Sequence, residues 1–278
     1  MEKKIFYWSP HINEQVATVK AVLNSTYSLS RYSDKYKPFI INAFGEWNNF
    51  SSKLESLNIS SIQIFNFNIK LPINGFIKSR LFYIFFSLIV FFPLIKMIKK
   101  EKPAYVIIHL ITIPVLIAAF FLKGETKFIL RISGFPKLNI FRSFLWKMCS
   151  KKIFKVFSPT LGTMILLKNR KIFEEKKIFL LEDPIIRIRS ISKLKRMEID
   201  DDNKNMNYIV SIGRLTKQKN FNFLIKSFSK VKEKLGDIKL IIIGSGEEKE
   251  NLKKQIKIYG MEKHILLKEF KNNIFNYI

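Results

Sequence analysis

The chain has 278 residues, of which 47% are hydrophobic and 14% aromatic, enough to build real cores and too many for wholesale disorder. Its 49 Lys and Arg against 22 Asp and Glu give a formal net charge of +27, spread over the whole length. That balance admits nucleic acid, an acidic membrane surface or phosphate-bearing small molecules as partners, and compositional drift toward Lys, Asn, Ile and Phe produces the same excess with no partner. The lone cysteine, Cys149, excludes an intramolecular disulfide and a cysteine-ligated zinc site.

The opening KKIFYWS reads as a strand, and Met1–Pro10 lacks the apolar run of a signal peptide. A loop at Pro10 leads into a helical pattern over 13–25, and 38–44 and 62–69 read as the next two strands. From Leu81 to Ile95 the chain is uncharged and Phe-rich on every face, with Pro93 inside and Lys78, Arg80, Lys96, Lys99 and Lys100 flanking it. This segment reads either as a helix packed on a sheet or as one lying at an anionic bilayer interface. The next uncharged run, Pro103–Leu122, is long enough on paper to span a membrane. Its parts instead read as a buried strand, YVIIHL, then Thr112 as a cap and Pro114 in the first turn of a helix.

Residues 127–133 form the next predicted strand, followed by a helix from about Arg142, a strand at 152–158, a helix opened by Pro159 and Thr160, and a strand at 177–183. Strands alternating with helices argue for a mostly parallel sheet covered on both faces. Residues 195–207, KRMEIDDDNKNMN, lack apolar periodicity and read as a polar linker rather than a metal site on Asp200–Asp202. The pattern then restarts with strands at 208–213, 238–244 and 264–270 and helices at 221–236 and 245–260. The expected domains are therefore 1–194, a linker at 195–207, and 208–278.

In open α/β sheets, ligands sit beyond the carboxyl ends of strands, and helix N-termini there favour phosphate. Arg214 and Lys219 lie in the first such loop of the second domain. Their chemistry suits a diphosphate, Arg as a fork and Lys as a point charge, and Gly213 permits close backbone approach. The second loop carries Gly244 and Gly246, but Lys249 stands where a dinucleotide fingerprint needs its third glycine, so a nicotinamide cofactor is not expected. His109, at the end of a middle strand, reads as a catalyst or as a satisfied core residue.

The run from SIGRLTKQKNF through IIIGSGEEK to LLKEFKNN resembles the nucleotide-sugar domain of the family 4 glycosyltransferases. That pattern is a strand, G-R-L, a K-N pair, an amphipathic helix, a strand, G-x-G and a helix. The segments SPHINEQVATVKAV, VIIHL, RISGFPKLN, SPTLGTMILL and LLEDPII more loosely resemble the acceptor domain of the same family, in enzymes that build bacterial surface polysaccharides such as O-antigen, capsule or lipopolysaccharide. The resemblance implies an α/β fold of GT-B type with two Rossmann-like domains, the C-terminal one incomplete. It implies a retaining hexosyltransferase that moves sugar from a nucleotide-diphosphate sugar to a lipid-linked glycan acceptor. Such an enzyme needs no cofactor and no metal, and works in the cytoplasm, peripheral on the inner face of the bacterial plasma membrane.

Residue by residue, the resemblance assigns the donor diphosphate to Gly213, Arg214 and Lys219, and the nucleotide to Gly244, Gly246, Phe270 and Lys271. It places His11, Asn13, Glu14, Gln15 and Arg131 on the acceptor side and makes His109 catalytic. The sequence departs from the family in three places. Pro10-His11-Ile12 replaces a Gly-Gly loop, Ile111 stands where a second polar residue is common, and the E-x7-E motif falls beyond Ile278. The 278 residues alone are therefore expected to be inactive or weakly active. A remnant that only binds nucleotide or membrane is the competing expectation. Nucleic acid is not an expected partner, because the phenylalanines fall in apolar strand and helix runs and not among the basic residues.

Overall fold

Near-continuous apolar runs such as IFYW, FII and YVII are what a parallel strand needs when both of its faces are buried. A computed structural model describes residues 2–10, 17–65, 76–136, 138–185, 187–197, 206–271 and 273–278, and the chain divides into two compact units, Met1–Ile185 and Ile186–Ile278. His11, Asn13, Glu14, Gln15 and most of the expected linker lie outside the described residues.

The first unit runs β1 (Lys3–Trp8), α1 (Ala17–Tyr32), β2 (Tyr36–Asn42), α2 (Ser51–Ser56), β3 (Ser60–Gln63), α3 (Phe76–Glu101), β4 (Tyr105–Ile108), α4 (Ile113–Phe121), β5 (Lys127–Arg131), α5 (Ile140–Cys149), β6 (Ile153–Ser158), α6 (Leu161–Asn169) and β7 (Ile178–Leu180). Among the described residues its strands form one parallel sheet in the order β3-β2-β1-β4-β5-β6-β7. The order reverses between β1 and β4, the switch point beyond which such sheets hold ligands. Trp8 pairs in register with Ile108, so Ser9 and His109 emerge side by side at that point.

Alternate residues divide the core. Phe6, Trp8, Val106, Ile108, Leu130 and Val156 face a layer containing Val90 and Leu94 of α3, Leu116 of α4, Leu145 of α5 and Leu167 of α6. Ile5, Tyr7 and Ile40 face Val19, Val22 and Leu23 of α1 on the other side. Helix α3 continues through Pro93 to Glu101, at the loss of the one backbone donor that proline lacks. Among the described residues no helix is long and apolar enough to cross a membrane.

Local capping agrees with the sequence reading at α6, departs from it at α4, and adds Asn139 at α5. The Asn139 side chain accepts from the Arg142 amide at 2.8 Å, and the Thr160 hydroxyl accepts from the Thr163 amide at 3.2 Å. Thr112, the expected cap of α4, has helical backbone angles and its side chain makes no capping bond. The turn is held from elsewhere, with the Trp8 indole N–H donating to the Ile111 carbonyl at 3.0 Å while Ile111 sits at φ +46°. A β-branched residue in that region is sterically costly, so the tertiary bond overrides the local preference.

The second unit contains α7 (Ile188–Lys195), β8 (Tyr208–Ile212), α8 (Phe221–Val231), β9 (Lys239–Ile243), α9 (Lys249–Ile258) and β10 (Ile265–Lys268), with a parallel sheet in the order β10-β9-β8. Phe221, Ile225, Phe228, Leu252 and Ile256 cover one face on Leu240, Ile242 and Ile265. Tyr277 covers the other with Ile241 and Ile243, and its carbonyl accepts from the Tyr208 hydroxyl at 3.1 Å. The sequence pattern predicts no helix at α7 and places 188–194 in the first domain and Lys195 in the linker. In the structure α7 falls in the second unit, where the Asn273 side-chain amide donates to the Leu194 carbonyl at 2.9 Å.

Candidate functional site

Because β8, β9 and β10 are parallel, the segments leaving their carboxyl ends share one edge of the second unit. These segments hold Gly213, Arg214 and Lys219, then Gly244 and Gly246, then Phe270 and Lys271, so the expected donor residues gather at one edge. The first two loops are laced by backbone bonds. Gly213 N donates to Ile243 O at 3.1 Å, Leu215 N to Ser245 O at 2.9 Å, and Glu248 N to Leu215 O at 3.0 Å.

The glycines in the second loop are dictated by this lacing. A Cβ on Gly244 would lie 1.9 Å from the Gly213 carbonyl oxygen, and one on Gly246, at φ +155°, would lie 2.3 Å from the Leu215 carbonyl oxygen. Both contacts are far inside van der Waals distance, so only glycine lets these loops interlock. Gly213 differs, since its Cβ would meet the Phe221 ring at 3.4 Å and the Lys219 stem at 3.8 Å, ordinary contacts. Lys219 thus folds back beside Gly213.

Arg214 and Lys219 are exposed, and neither forms an ion pair with a described residue. Lys249 is engaged by Glu269, which raises its pKa. The start of α9 is acidic, with Glu247 and Glu248. Glu248 is buried and its carboxylate accepts from the Asn251 side chain at 2.8 Å. A carboxylate already sits where the helix dipole would favour an anion. An anion would therefore be favoured at the Arg214 and Lys219 loop rather than at the start of α9. Phe270 is exposed just beyond β10 and presents a flat apolar ring. Sequence reasoning missed Thr216, whose buried hydroxyl has no partner among the described residues; only a solved loop conformation distinguishes it from any loop threonine.

In the first unit a cavity of about 450 Å³ opens on the α1 side of the sheet, lined by Tyr7, Ser25, His109, Arg131 and Asp183 among others. His109 is 7% exposed, its ring stacks 6.2 Å from that of Tyr7, and both of its nitrogens lack a partner among the described residues. Burial first, and the Arg131 charge second, pull its pKa down to about 3, so the imidazole is neutral at physiological pH. Arg131, buried at the end of β5, donates from Nη2 at 2.6 Å and from Nε at 3.2 Å to one oxygen of Asp183, and its Nη1 has no partner among the described residues. The Tyr7 hydroxyl lies 2.9 Å from that of Ser25.

The structure brings His109 and Arg131 together at one cavity. It adds Asp183, which the sequence did not single out because a Glu182–Asp183 pair before Pro184 carries no spacing signal. With the Arg131 charge answered by Asp183 and His109 neutral, the cavity suits uncharged hydroxyl groups. Neutral imidazole can accept from a hydroxyl, and Arg131 Nη1 can donate to one.

Residues 193–278 match the family model described as glycosyl transferases group 1. An uncharacterised glycosyltransferase of Methanocaldococcus jannaschii is 28% identical over 205 residues, covering 67% of this chain and 50% of that protein. The N-acetylgalactosamine-N,N'-diacetylbacillosaminyl-diphospho-undecaprenol 4-alpha-N-acetylgalactosaminyltransferase of Campylobacter jejuni is 39% identical over 71 residues, 26% of this chain and 19% of that protein. The chain thus spans half or less of the length of these curated relatives. The crystal structure of a glycosyltransferase from Rickettsia africae superposes with a TM-score of 0.70 at 19% identity, over 99% of this chain and 70% of that one. The fold is of GT-B type, with Rossmann-like α/β units, as the sequence implied.

Proposed function

We propose that the protein is a retaining glycosyltransferase that moves a sugar from a nucleotide-diphosphate sugar to a lipid-linked glycan, in the assembly of a cell-surface polysaccharide. The observation that carries this reading is the edge of the second unit, where Arg214 and Lys219, exposed and in no ion pair with a described residue, lie in the loop that interlocks with the Gly244–Gly246 loop. Arg214 and Lys219 bind the donor diphosphate and stabilise the charge that grows on it as the glycosidic bond to phosphate breaks. The glycine-bearing β9 loop and Phe270 receive the nucleoside. The lipid-linked acceptor follows from the Campylobacter relative, whose name carries a diphospho-undecaprenol acceptor.

On the acceptor side, the cavity of the first unit holds sugar hydroxyls between neutral His109 and Arg131. An imidazole with its pKa near 3 is a poor general base at neutral pH. His109 therefore orients an acceptor hydroxyl by accepting its hydrogen bond.

The test is to incubate the protein with UDP- and GDP-sugars and a lipid-linked glycan and to follow release of nucleoside diphosphate. Slow release at most is expected from these 278 residues, dependent on the acceptor and lost in Arg214→Ala. Failure to bind either UDP or GDP would overturn the reading.

A further inference from the structure

We infer that α3, α4 and α5 together form a membrane-docking face that seats the carboxyl edge of the first unit's sheet in an anionic bilayer. The sequence pointed only to the Phe-rich α3, whereas the structure shows the same graded pattern on two helices. On α3, Ile84, Phe85, Leu88 and Phe92 are exposed, and the exposed residues that follow are Lys96, Lys99 and Lys100. On α5, Ile140, Phe141, Phe144 and Met148 are exposed, Ile140 to 91%, with Lys147, Lys151 and Lys152 exposed at and beyond its end. Spacings of four residues put each apolar set on one helical stripe. Helix α4 lies between them, with Phe121 exposed and its ring 5.8 Å from that of Phe91.

Both helices have the same sense. Helix α5 starts just after the carboxyl end of β5, and α3 finishes just before the amino end of β4. The most exposed apolar residues of α5, Ile140 and Phe141, open that helix at the carboxyl edge of the sheet, where His109 stands, and Lys151 and Lys152 follow its end, while α3 carries Lys78 and Arg80 before its exposed apolar residues and Lys96, Lys99 and Lys100 after them. Exposed apolar side chains in such numbers mark an interaction surface.

Charge complementarity selects the occupant. No Asp or Glu occurs in 84–100, 113–124 or 140–152, and of the acids that follow, Glu101 pairs with Lys4 while Glu125 is exposed, so an apolar zone backed by a predominantly cationic belt meets acyl chains and acidic headgroups in that order. A second copy of a chain with net charge +27 would bring like charge to the same surface. The docking does not depend on the glycosyl-transfer reading. If that reading holds as well, the face brings the cavity edge toward the layer in which a lipid-linked acceptor resides.

The test is flotation with vesicles of phosphatidylcholine alone and of phosphatidylcholine with phosphatidylglycerol, using the full chain and no donor. Binding only to the anionic vesicles is expected. The pair Leu88→Ser/Phe92→Ser on α3 and the pair Ile140→Ser/Phe144→Ser on α5 should each weaken it at least ~10-fold. The set Lys96→Glu/Lys99→Glu/Lys100→Glu should weaken it on the order of 100-fold. Circular dichroism of each variant and unchanged UDP affinity separate loss of docking from loss of fold or of donor binding. The inference is overturned by absence of binding to anionic vesicles, by equal binding to both vesicle types, by an α5 pair that binds like the parent, or by a dimer in solution that these substitutions dissociate.

Discussion

Gly246→Ala isolates the loop interlock that supports the proposed donor site. The new Cβ would lie 2.3 Å from the Leu215 carbonyl oxygen, so that carbonyl must retreat by about 1 Å to reach an ordinary contact. The displacement disrupts two bonds, Leu215 N to Ser245 O and Glu248 N to Leu215 O, each worth about 1 kcal/mol net. Overpacking and the positive φ add about 2 kcal/mol more. The expected destabilisation is thus about 4 kcal/mol, a large fraction of a typical domain's stability of about 5–15 kcal/mol. Gly236→Ala is the control, because Gly236 has φ +63° and ψ −133° but open space around its Cβ, and it should cost backbone strain alone, about 2 kcal/mol. Urea unfolding of the three proteins measures both costs, and UDP titration should show the Gly246 variant alone losing affinity. A Gly246→Ala variant no less stable than Gly236→Ala would refute the packing argument.

The other expectations concern the first unit. His109 has its folded pKa pulled to about 3 from an ordinary 6.5, so the unfolded state takes up its proton first as pH falls. The contribution of this group is fully present above pH 6.5 and is lost toward pH 3 at up to about 1.4 kcal/mol per pH unit. Between pH 7 and pH 5 the parent should therefore lose about 2 kcal/mol more than His109→Phe, measured by urea unfolding at both pH values; parallel losses would contradict the assignment. Asp183→Asn removes the counter-charge of the buried Arg131 and should cost about 3 kcal/mol. Arg131→Met combined with Asp183→Leu should recover most of that loss in the same assay, and an additive double variant would refute the pairing.

The parallel sheets were legible because their strands are short, apolar on both faces and punctuated by Gly or Pro, as in YIVSIG and LIIIG. The position of Arg214 and Lys219 at the carboxyl edge of the sheet was legible for a related reason, since the loop directly follows such a strand and is local in sequence. Helix α7 was not legible, because IRSISKLK is short and basic and sits beside the polar linker, and what it packs on lies about eighty residues later in the chain. Thr112 failed as a cap because the turn before α4 is set by Trp8, over a hundred residues away. The His109, Arg131 and Asp183 constellation joins the ends of β4 and β5 to the segment after β7, and only the sheet order makes them neighbours. The two glycines were noticed as possible nucleotide contacts, while their tightest constraint is the backbone of the adjacent loop.

Titration of UDP and GDP into the parent protein, Arg214→Ala and Lys219→Ala by calorimetry tests the central claim most directly. A charge-assisted bond to phosphate is worth about 1.5–3 kcal/mol, so each substitution should weaken the preferred nucleotide ~10- to 100-fold while Lys249→Ala, at a residue already paired with Glu269, changes it little. Unchanged affinity in both Arg214→Ala and Lys219→Ala would contradict a donor diphosphate at this edge of the sheet.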